Sequence, residues 1–63
     1  MGNNNFKIGD LVWYPADGKW GAGVVVGFND KGEGGKDMVQ VLTSAGVVSV
    51  FLSFQCELIR KNE

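Results

Sequence analysis

Two neighbouring stretches decide the fold: Phe6-Lys-Ile-Gly-Asp-Leu-Val-Trp-Tyr14 and Gly21-Ala-Gly-Val-Val-Val-Gly-Phe28. The first contains the β-branched and aromatic residues that favour strands. The second is a run of valines flanked by glycines, and a polar segment separates the two stretches. This arrangement predicts a short strand that turns back into a second strand, as at the start of a small, strongly bent antiparallel barrel.

Turn signals divide the rest of the chain into short strands. Ala16-Asp-Gly-Lys19 predicts a turn in which Gly18 can supply a positive φ. A mobile hairpin loop is expected over 29–36, and a tight connection over 44–46. Ser53-Phe-Gln55 is too short for an α-helix and fits a single 3₁₀ turn. Strands are therefore expected at about 10–15, 23–29, 37–43, 47–52 and 56–60.

The predicted fold class is all-β: a barrel or sandwich of five short strands, with a short 3₁₀ turn before the last strand. It is expected to span residues 6–60, after a disordered lead-in over 1–5 and before a tail over 61–63. Helical periodicity is missing, and ten glycines also argue against helices. Pro15 cannot donate to a strand ladder, so it marks the end of the first strand or an edge.

Alternation along the strands predicts which side chains face inward. The expected core is Ile8, Val12, Val24, Val26, Val39, Val41, Val48, Val50 and Leu58. The opposite faces carry Leu11, Trp13, Val25, Gln40, Leu42, Val47, Ser49 and Phe51. That second set is too apolar for a solvated surface. Part of it is expected to close the barrel ends, and part to form a contact surface.

The length and composition exclude several classes of protein. A chain of 63 residues forms one domain, and so short a chain buries only about 60% of its unfolded surface. It has one cysteine and no histidine, so neither an intrachain disulfide nor a zinc site is expected. Oligomerisation remains as the expected source of added stability.

Charge and hydropathy bear on partners and location. The net charge is −1, with six basic and seven acidic residues, and the lysines are dispersed, so no strong nucleic-acid binding is expected. No apolar run approaches the ~20 residues of a membrane span, and the N-terminus lacks the features of a signal peptide. With an unpaired thiol, the chain is expected in the reducing cytoplasm of a cell or an infected host, or in a virion.

No catalytic, metal-binding or cofactor-binding constellation is expected. Cys56 has no histidine to activate it and is interpreted as a buried small hydrophobe. Asp10 is expected to cap the turn into the first strand. The glycine cluster at 32–35 lacks the Lys-Ser/Thr pair of a phosphate loop and is interpreted as a flexible hairpin tip. The carboxylates include no apolar-flanked pair suited to acid–base catalysis.

Four motifs are similar to those of SH3-like barrels: Gly-Asp-Leu-Val, Gly-Val-Val-Val-Gly, Val-Gln-Val-Leu-Thr and the ending Leu-Ser-Phe-Gln-Cys-Glu-Leu-Ile. In SH3-like folds a 3₁₀ turn precedes a short last strand of this type. The resemblance therefore implies a five-stranded SH3-like barrel over residues 6–60. The chain in particular resembles small SH3-like proteins of tailed bacteriophages, which carry a Lys-x-Gly-Asp-Leu-Val opening. That resemblance implies an accessory or virion-associated role.

A second resemblance is to the plasmid-borne type II dihydrofolate reductases, which are short SH3-like chains that form tetramers around one pore. Their opening strand is matched by Phe6, Gly9, Asp10 and Val12. Their Trp-x-Gly-x-x-Val-Gly segment is matched, with one extra residue, by Trp20 to Gly27. The resemblance implies a reductase as an alternative function.

The strand that lines the pore of those reductases departs from the family pattern here. The corresponding segment is Gly46-Val-Val-Ser-Val-Phe51, with Ser49 in place of a glutamine and Phe51 in place of a tyrosine. Both changes remove polar groups that hold pterin and nicotinamide. Because function follows the site and not the fold, no enzymatic activity and no cofactor are expected.

Aromatic residues provide the main functional signal. Trp13 and Phe51 are out of phase with the predicted core and, with Leu42, are expected to form an exposed contact face. Tyr14 and Trp20 complete the predicted partner-binding set, although Trp20, Phe28 and Phe54 also fit plugs of the barrel ends. The predicted function is a non-catalytic protein-interaction or assembly module, with the chain itself as partner in a homo-oligomer. A nucleic-acid-binding SH3-like domain is a further alternative.

Overall fold

The computed structural model describes residues 6–29 and 38–62, which form one antiparallel sheet of five strands. The all-β prediction is confirmed, and no α-helix occurs in these two ranges. The lead-in over 1–5 and the predicted loop tip over 30–36 lie outside the described residues. The elements are β1 (Leu11–Ala16), β2 (Lys19–Asn29), β3 (Met38–Leu42), β4 (Val48–Leu52), a 3₁₀ turn (Ser53–Gln55) and β5 (Glu57–Arg60).

The strand order is β4-β3-β2-β1-β5, so β4 and β5 are the two edges of the sheet. The hairpin between β1 and β2 turns through Asp17 and Gly18, whose φ angles are 29° and 77°. Two successive positive φ values define the tight turn that matches the twist of antiparallel strands, and Asp-Gly is a preferred sequence for it. The turn that the sequence predicted over 16–19 is therefore confirmed.

The sheet is strongly curled, because a very short connection joins its two edges. In a flat sheet of five strands the edges would lie about 19 Å apart. Only Ser53 to Cys56 separate the end of β4 from the start of β5, and a chain of this length spans at most about 18 Å when fully extended. Three of those residues form the compact 3₁₀ turn. In the described ranges β4 and β5 do not pair, so the sheet is curled but not closed.

The core lies on the concave side of this curl. The rings of Tyr14 on β1 and Phe51 on β4 stack with centroids 5.4 Å apart and an interplanar angle of 24°. Two strands separate β1 from β4, so in a flat sheet their backbones would be about 14 Å apart. Phe6, Ala16 and Phe51 pack against the buried cluster, which consists of Val12, Tyr14, Val25, Val39, Val41 and Cys56.

The prediction that Val24 and Val26 face the core is wrong. Val25 is buried, whereas Val24 is only half-buried and Val26 is exposed. Val25 pairs with the buried Val41, and the register between β2 and β3 then shifts between Val25 and Gly27. Three consecutive valines carry no alternation of their own, so the packing of the neighbouring strands decides which of them faces inward.

The prediction that Val48 and Val50 face the core is also wrong. Val48 and Val50 are exposed, whereas Ser49 and Phe51 are half-buried on the concave side. The large ring of Phe51 gains more from the core than a valine would, because it stacks on Tyr14. Ile8 and Leu58, also expected in the core, are exposed as well. Of the predicted core, the buried members are Val12, Val39 and Val41.

A glycine pair makes room for the Tyr14 ring. Gly21 lies opposite Tyr14 in the β1–β2 ladder, and Gly23 lies opposite Val12. A Cβ atom on Gly21 would fall 2.5 Å from the Tyr14 Cζ atom. A Cβ atom on Gly23 would fall 2.5 Å from the backbone oxygen of Leu42. The core aromatic therefore fits only because its neighbouring strand has no side chains at these two positions.

Replacement of Gly23 by alanine should destabilise the protein by about 1–3 kcal/mol, the usual range for overpacking. The new methyl group would meet backbone, which cannot turn aside as a side chain can. Urea titration followed by circular dichroism measures the change. Ala22→Ser, at an exposed position of the same strand, is the matched control and should stay within about 0.5 kcal/mol of wild type. Equal stability of Gly23→Ala and Ala22→Ser would contradict this packing.

Asp10 joins the turn before β1 to the segment after β5. Its carboxylate accepts hydrogen bonds from the backbone N–H of Lys7 at 2.8 Å and from that of Asn62 at 2.8 Å. The predicted cap of the turn is thus confirmed, and the bond to Asn62 is an addition that the sequence did not suggest. These two bonds, the Asn62 bond first, hold the pKa of Asp10 below its ordinary value of 3.8.

The stability that Asp10 contributes should be lost in acid. Because its folded-state pKa is lowered, the contribution is fully present above the unfolded value of 3.8 and disappears as the pH falls through the lower folded value. Urea midpoints measured from pH 7 to pH 2.5 should therefore fall more steeply for wild type than for Asp10→Asn. Asp17→Asn, at an exposed turn position, should keep the wild-type steepness. Parallel curves for Asp10→Asn and wild type would refute this role.

Candidate partner-binding face

The convex side of the sheet, here called the outer face, carries an apolar row across most of its width. Cross-strand partners in an antiparallel ladder point to the same side. The register pairs Leu11 with Val24, Val24 with Leu42 and Leu42 with Val48. Arg60 on β5 pairs with Leu11 and ends the row. The row consequently runs through all five strands, with a single charged residue at one end.

A second group on the outer face combines aromatic side chains with a carboxylate. Trp13 on β1 lies opposite Glu57 on β5 and opposite Ala22 on β2. Trp20 is two residues from Ala22 along β2 and is therefore a diagonal neighbour of Trp13. Trp13, Trp20 and Glu57 line a cavity of about 260 Å³. The exposed fractions of the two tryptophans are 42% and 53%.

Some residues of the predicted partner-binding set are exposed, and others are buried or half-buried. Trp13, Trp20 and Leu42 are exposed, and Trp13 and Leu42 lie on the outer face as expected. Tyr14 is only 6% exposed, and Phe51 is half-buried against it, so the expectation that these two residues face a partner is wrong. Both are held on the concave side by their mutual stacking.

Other exposed apolar residues were misplaced or missed by the sequence analysis. Val26, Val48 and Val50 were assigned to the core, yet they are exposed. Their positions enlarge the outer face along β2 and β4. The sequence did carry a signal for this, because Ser49 is the one polar residue of β4 and both faces of the strand are otherwise apolar, so one apolar face had to lie outside the core. Phe28, Phe54 and Trp20 are exposed too, so none of the three is buried as a plug would be.

A polar depression lies beside β5. It has a volume of about 640 Å³ and is lined by Gly9, Leu11, Arg60, Lys61 and Asn62. Its two cations are neighbours in the chain, and the buried Asp10 carboxylate lies next to them through its bond to Asn62. Folding therefore gathers basic residues here close to a compensating negative charge, and Lys7 and Lys61 both act on the Asp10 carboxylate.

Two titratable side chains, Tyr14 and Cys56, belong to the buried core. Tyr14 receives hydrogen bonds from the side chain and the backbone of Ser44, which lower the pKa of its hydroxyl. Cys56 is buried in the core as predicted, and burial raises the pKa of its thiol from 9.0 to about 11. In residues 6–29 and 38–62 no group of three or more metal-binding side chains comes together.

Comparisons with known proteins return no match. No family model fits the chain, and neither the search of known proteins nor the search of solved structures finds a similar protein. Within the part of the chain that the structure describes, no helix is both long enough and apolar enough to cross a lipid bilayer.

Cys56 should react slowly with thiol reagents in the folded protein. At pH 8 a rise in pKa from 9.0 to about 11 lowers the thiolate population roughly a hundredfold, and burial adds a barrier to access. Alkylation by iodoacetamide, followed by mass spectrometry, should be at least that much slower in buffer than in 8 M urea. Similar rates in the two conditions would show that the thiol is accessible in the native state.

Proposed function

We propose that the chain is an SH3-like barrel that acts as a non-catalytic protein-interaction module and assembles through its outer face with a second copy of itself. The observation that carries this proposal is the apolar row across the sheet. Leu42, near the middle of the row, is 39% exposed, and its partner Val48 is 50% exposed. A side chain of this kind in a contiguous row, rather than scattered singly, is typical of an interaction site.

The curl of the sheet supports the SH3-like assignment. The chain reaches its last strand through a three-residue 3₁₀ turn (Ser53–Gln55), which is the ending that the resemblance implies. The short connection also brings the two edges toward each other, as a barrel requires. The phage-like motifs extend the proposal to an accessory or virion-associated protein, located in the cytoplasm of an infected cell or in the virion.

The apolar patch would form the centre of an interface with a second copy, and polar residues around it would supply the remaining area. A standard interface takes about 800 Å² from each partner, and the chain has an accessible surface of 4359 Å². Trp13 and Trp20 alone expose roughly 200 Å² between them, given 150–250 Å² for a whole aromatic side chain. With the leucine and valines of the row, the patch reaches the size of the largest apolar patches on typical monomers.

The distribution of charge also suits self-association. The outer face carries its charged residues, Glu57 and Arg60, on the edge strand β5, which corresponds to an apolar centre with a polar rim. A two-fold interface brings the same patch of both copies together. An apolar patch meets no like-charge repulsion in that arrangement, and the net charge of −1 adds little over longer distances.

The packing of β4 supports a role without catalysis. In the reductase-like alternative, Ser49 and Phe51 would line a pore and hold polar ring edges. Here Phe51 stacks on Tyr14 in the core, and Ser49 lies opposite the buried Val41. The nucleic-acid alternative would rest on Arg60 and Lys61. A pair of cations beside the Asp10 carboxylate offers few simultaneous phosphate contacts, so strong binding of nucleic acid is not proposed.

The oligomeric state tests this proposal. Light scattering coupled to size exclusion should give a dimer or a larger oligomer at micromolar concentration. Leu42→Glu should yield monomers, because it places two like charges in the centre of a desolvated interface. Trp13→Ala should shift the equilibrium toward monomer by removing apolar contact area at the border of the row.

Phe54→Glu is the matched control, because Phe54 is exposed on the 3₁₀ turn and not on the sheet. It should assemble like wild type. Circular dichroism should show that all variants remain folded. A monomeric mass for wild type up to about 1 mM, where binding free energy is only about −4 kcal/mol, would refute self-association, as would equal dissociation by Phe54→Glu.

A further inference from the structure

We propose that Trp13, Trp20 and Glu57 form a binding site for an organic cation, either the guanidinium or ammonium group of a protein side chain or a small quaternary amine. The site occupies the 260 Å³ cavity at the β5 side of the outer face. It goes beyond self-association: Trp13 and Trp20 also belong to the patch that a second copy would cover, so the site is open to a ligand in the monomer.

The register of three strands builds the site. Glu57 on β5 is the direct cross-strand partner of Trp13 on β1, so their side chains leave the sheet on the same side at the closest spacing that a ladder allows. Trp20 on β2 is the diagonal neighbour of Trp13 on its other flank, within the reach of aromatic side chains. The positions are thus fixed by backbone pairing and not by a loop.

The side chains at these positions are complementary to a cation. The face of an indole ring attracts a positive charge more strongly than the other aromatic rings do. Both indoles are about half exposed, so their surfaces are available to a ligand. A carboxylate beside two aromatic rings adds a direct charge–charge attraction, and it can accept hydrogen bonds from a guanidinium or ammonium group. The cavity has room for either group, and for a trimethylammonium group.

The chemistry of the cavity disfavours other ligands. An anion would be repelled by Glu57. A neutral apolar ligand would cover the carboxylate without offering a partner, and desolvation of an unpaired charge is unfavourable.

The cations of the chain itself do not occupy the site in the described structure. Glu57 forms no ion pair with another residue of the described ranges, and Arg60 lines the separate depression beside Gly9 and Leu11. Strand alternation places Lys19 on the side of β2 opposite to Trp20. As far as residues 6–29 and 38–62 are concerned, the carboxylate therefore remains available for a cation.

The fluorescence of the protein reports on this cavity directly. The chain has two tryptophans, and both line the cavity. Titration with N-acetyl-L-arginine methylamide should change the emission intensity or wavelength in a saturable manner, with a Kd on the order of millimolar for so small a ligand. The citrulline analogue, which has nearly the same shape but no charge, is the matched control ligand and should bind at least threefold more weakly.

Glu57→Gln keeps the size of the side chain and removes its charge. It should weaken binding of the arginine compound roughly two- to fivefold, the scale of an exposed ionic contact, and leave binding of the citrulline compound unchanged. Trp20→Leu should weaken binding of the cation by about the same factor through loss of a ring face. Leu42→Glu, which the proposed self-association expects to be monomeric, should bind the cation at least as tightly as wild type, which separates this site from self-association.

Tetramethylammonium chloride, with sodium chloride at equal ionic strength as its control, distinguishes the source of the cation. Tighter binding of this salt than of the arginine compound supports a small quaternary amine, and the opposite order supports a side chain of a protein partner. Equal responses to the arginine and citrulline compounds would overturn the proposal. So would an unchanged Kd in Glu57→Gln, or no saturable response of Leu42→Glu to either cation up to about 100 mM.

Discussion

The stack of Tyr14 on Phe51 is the interaction on which the rest of the structure depends. It joins β1 to β4 across two intervening strands, so it exists only when the sheet is curled. The stacked rings in turn stabilise the curled form of the sheet. The short 3₁₀ connection between β4 and β5 requires the same curvature, because it limits how far the two edges of the sheet can separate. Gly21 and Gly23 on β2 leave space for the ring of Tyr14 on the concave side of the sheet.

The same curvature explains why the outer face is apolar. A single curled sheet has only one concave side, and in a chain of this size that side encloses a small cluster of buried residues. The chain nevertheless has more apolar residues than the cluster can hold. The surplus appears on the convex side, where cross-strand pairing collects it into a row instead of scattering it. A small core and a large apolar exterior are therefore two results of one geometry.

The sequence predicted the all-β class, the approximate strands, the Asp-Gly turn, the 3₁₀ turn and the cap by Asp10, because each depends on local chemistry. It failed where a choice depended on distant residues. The valine run of β2 and the segment from Val47 to Leu52 are apolar on both faces, so alternation could not orient them, and aromatic packing between β1 and β4 did. The cavity of Trp13, Trp20 and Glu57 was equally hidden, because its members meet only through the register of β1 with β2 and β5.

The position of β1 between β2 and β5 has a consequence for the order of folding. The β1–β2 hairpin closes through a two-residue turn, so it can form as soon as its residues are available. The pairing of β1 with β5 joins distant parts of the chain, and the Asp10–Asn62 bond spans 52 positions. Closing so long a loop is entropically unfavourable until other contacts have already shortened it. β1 thus pairs with β2 early and with β5 last, and until then the Asp10 carboxylate lacks one of its two backbone donors.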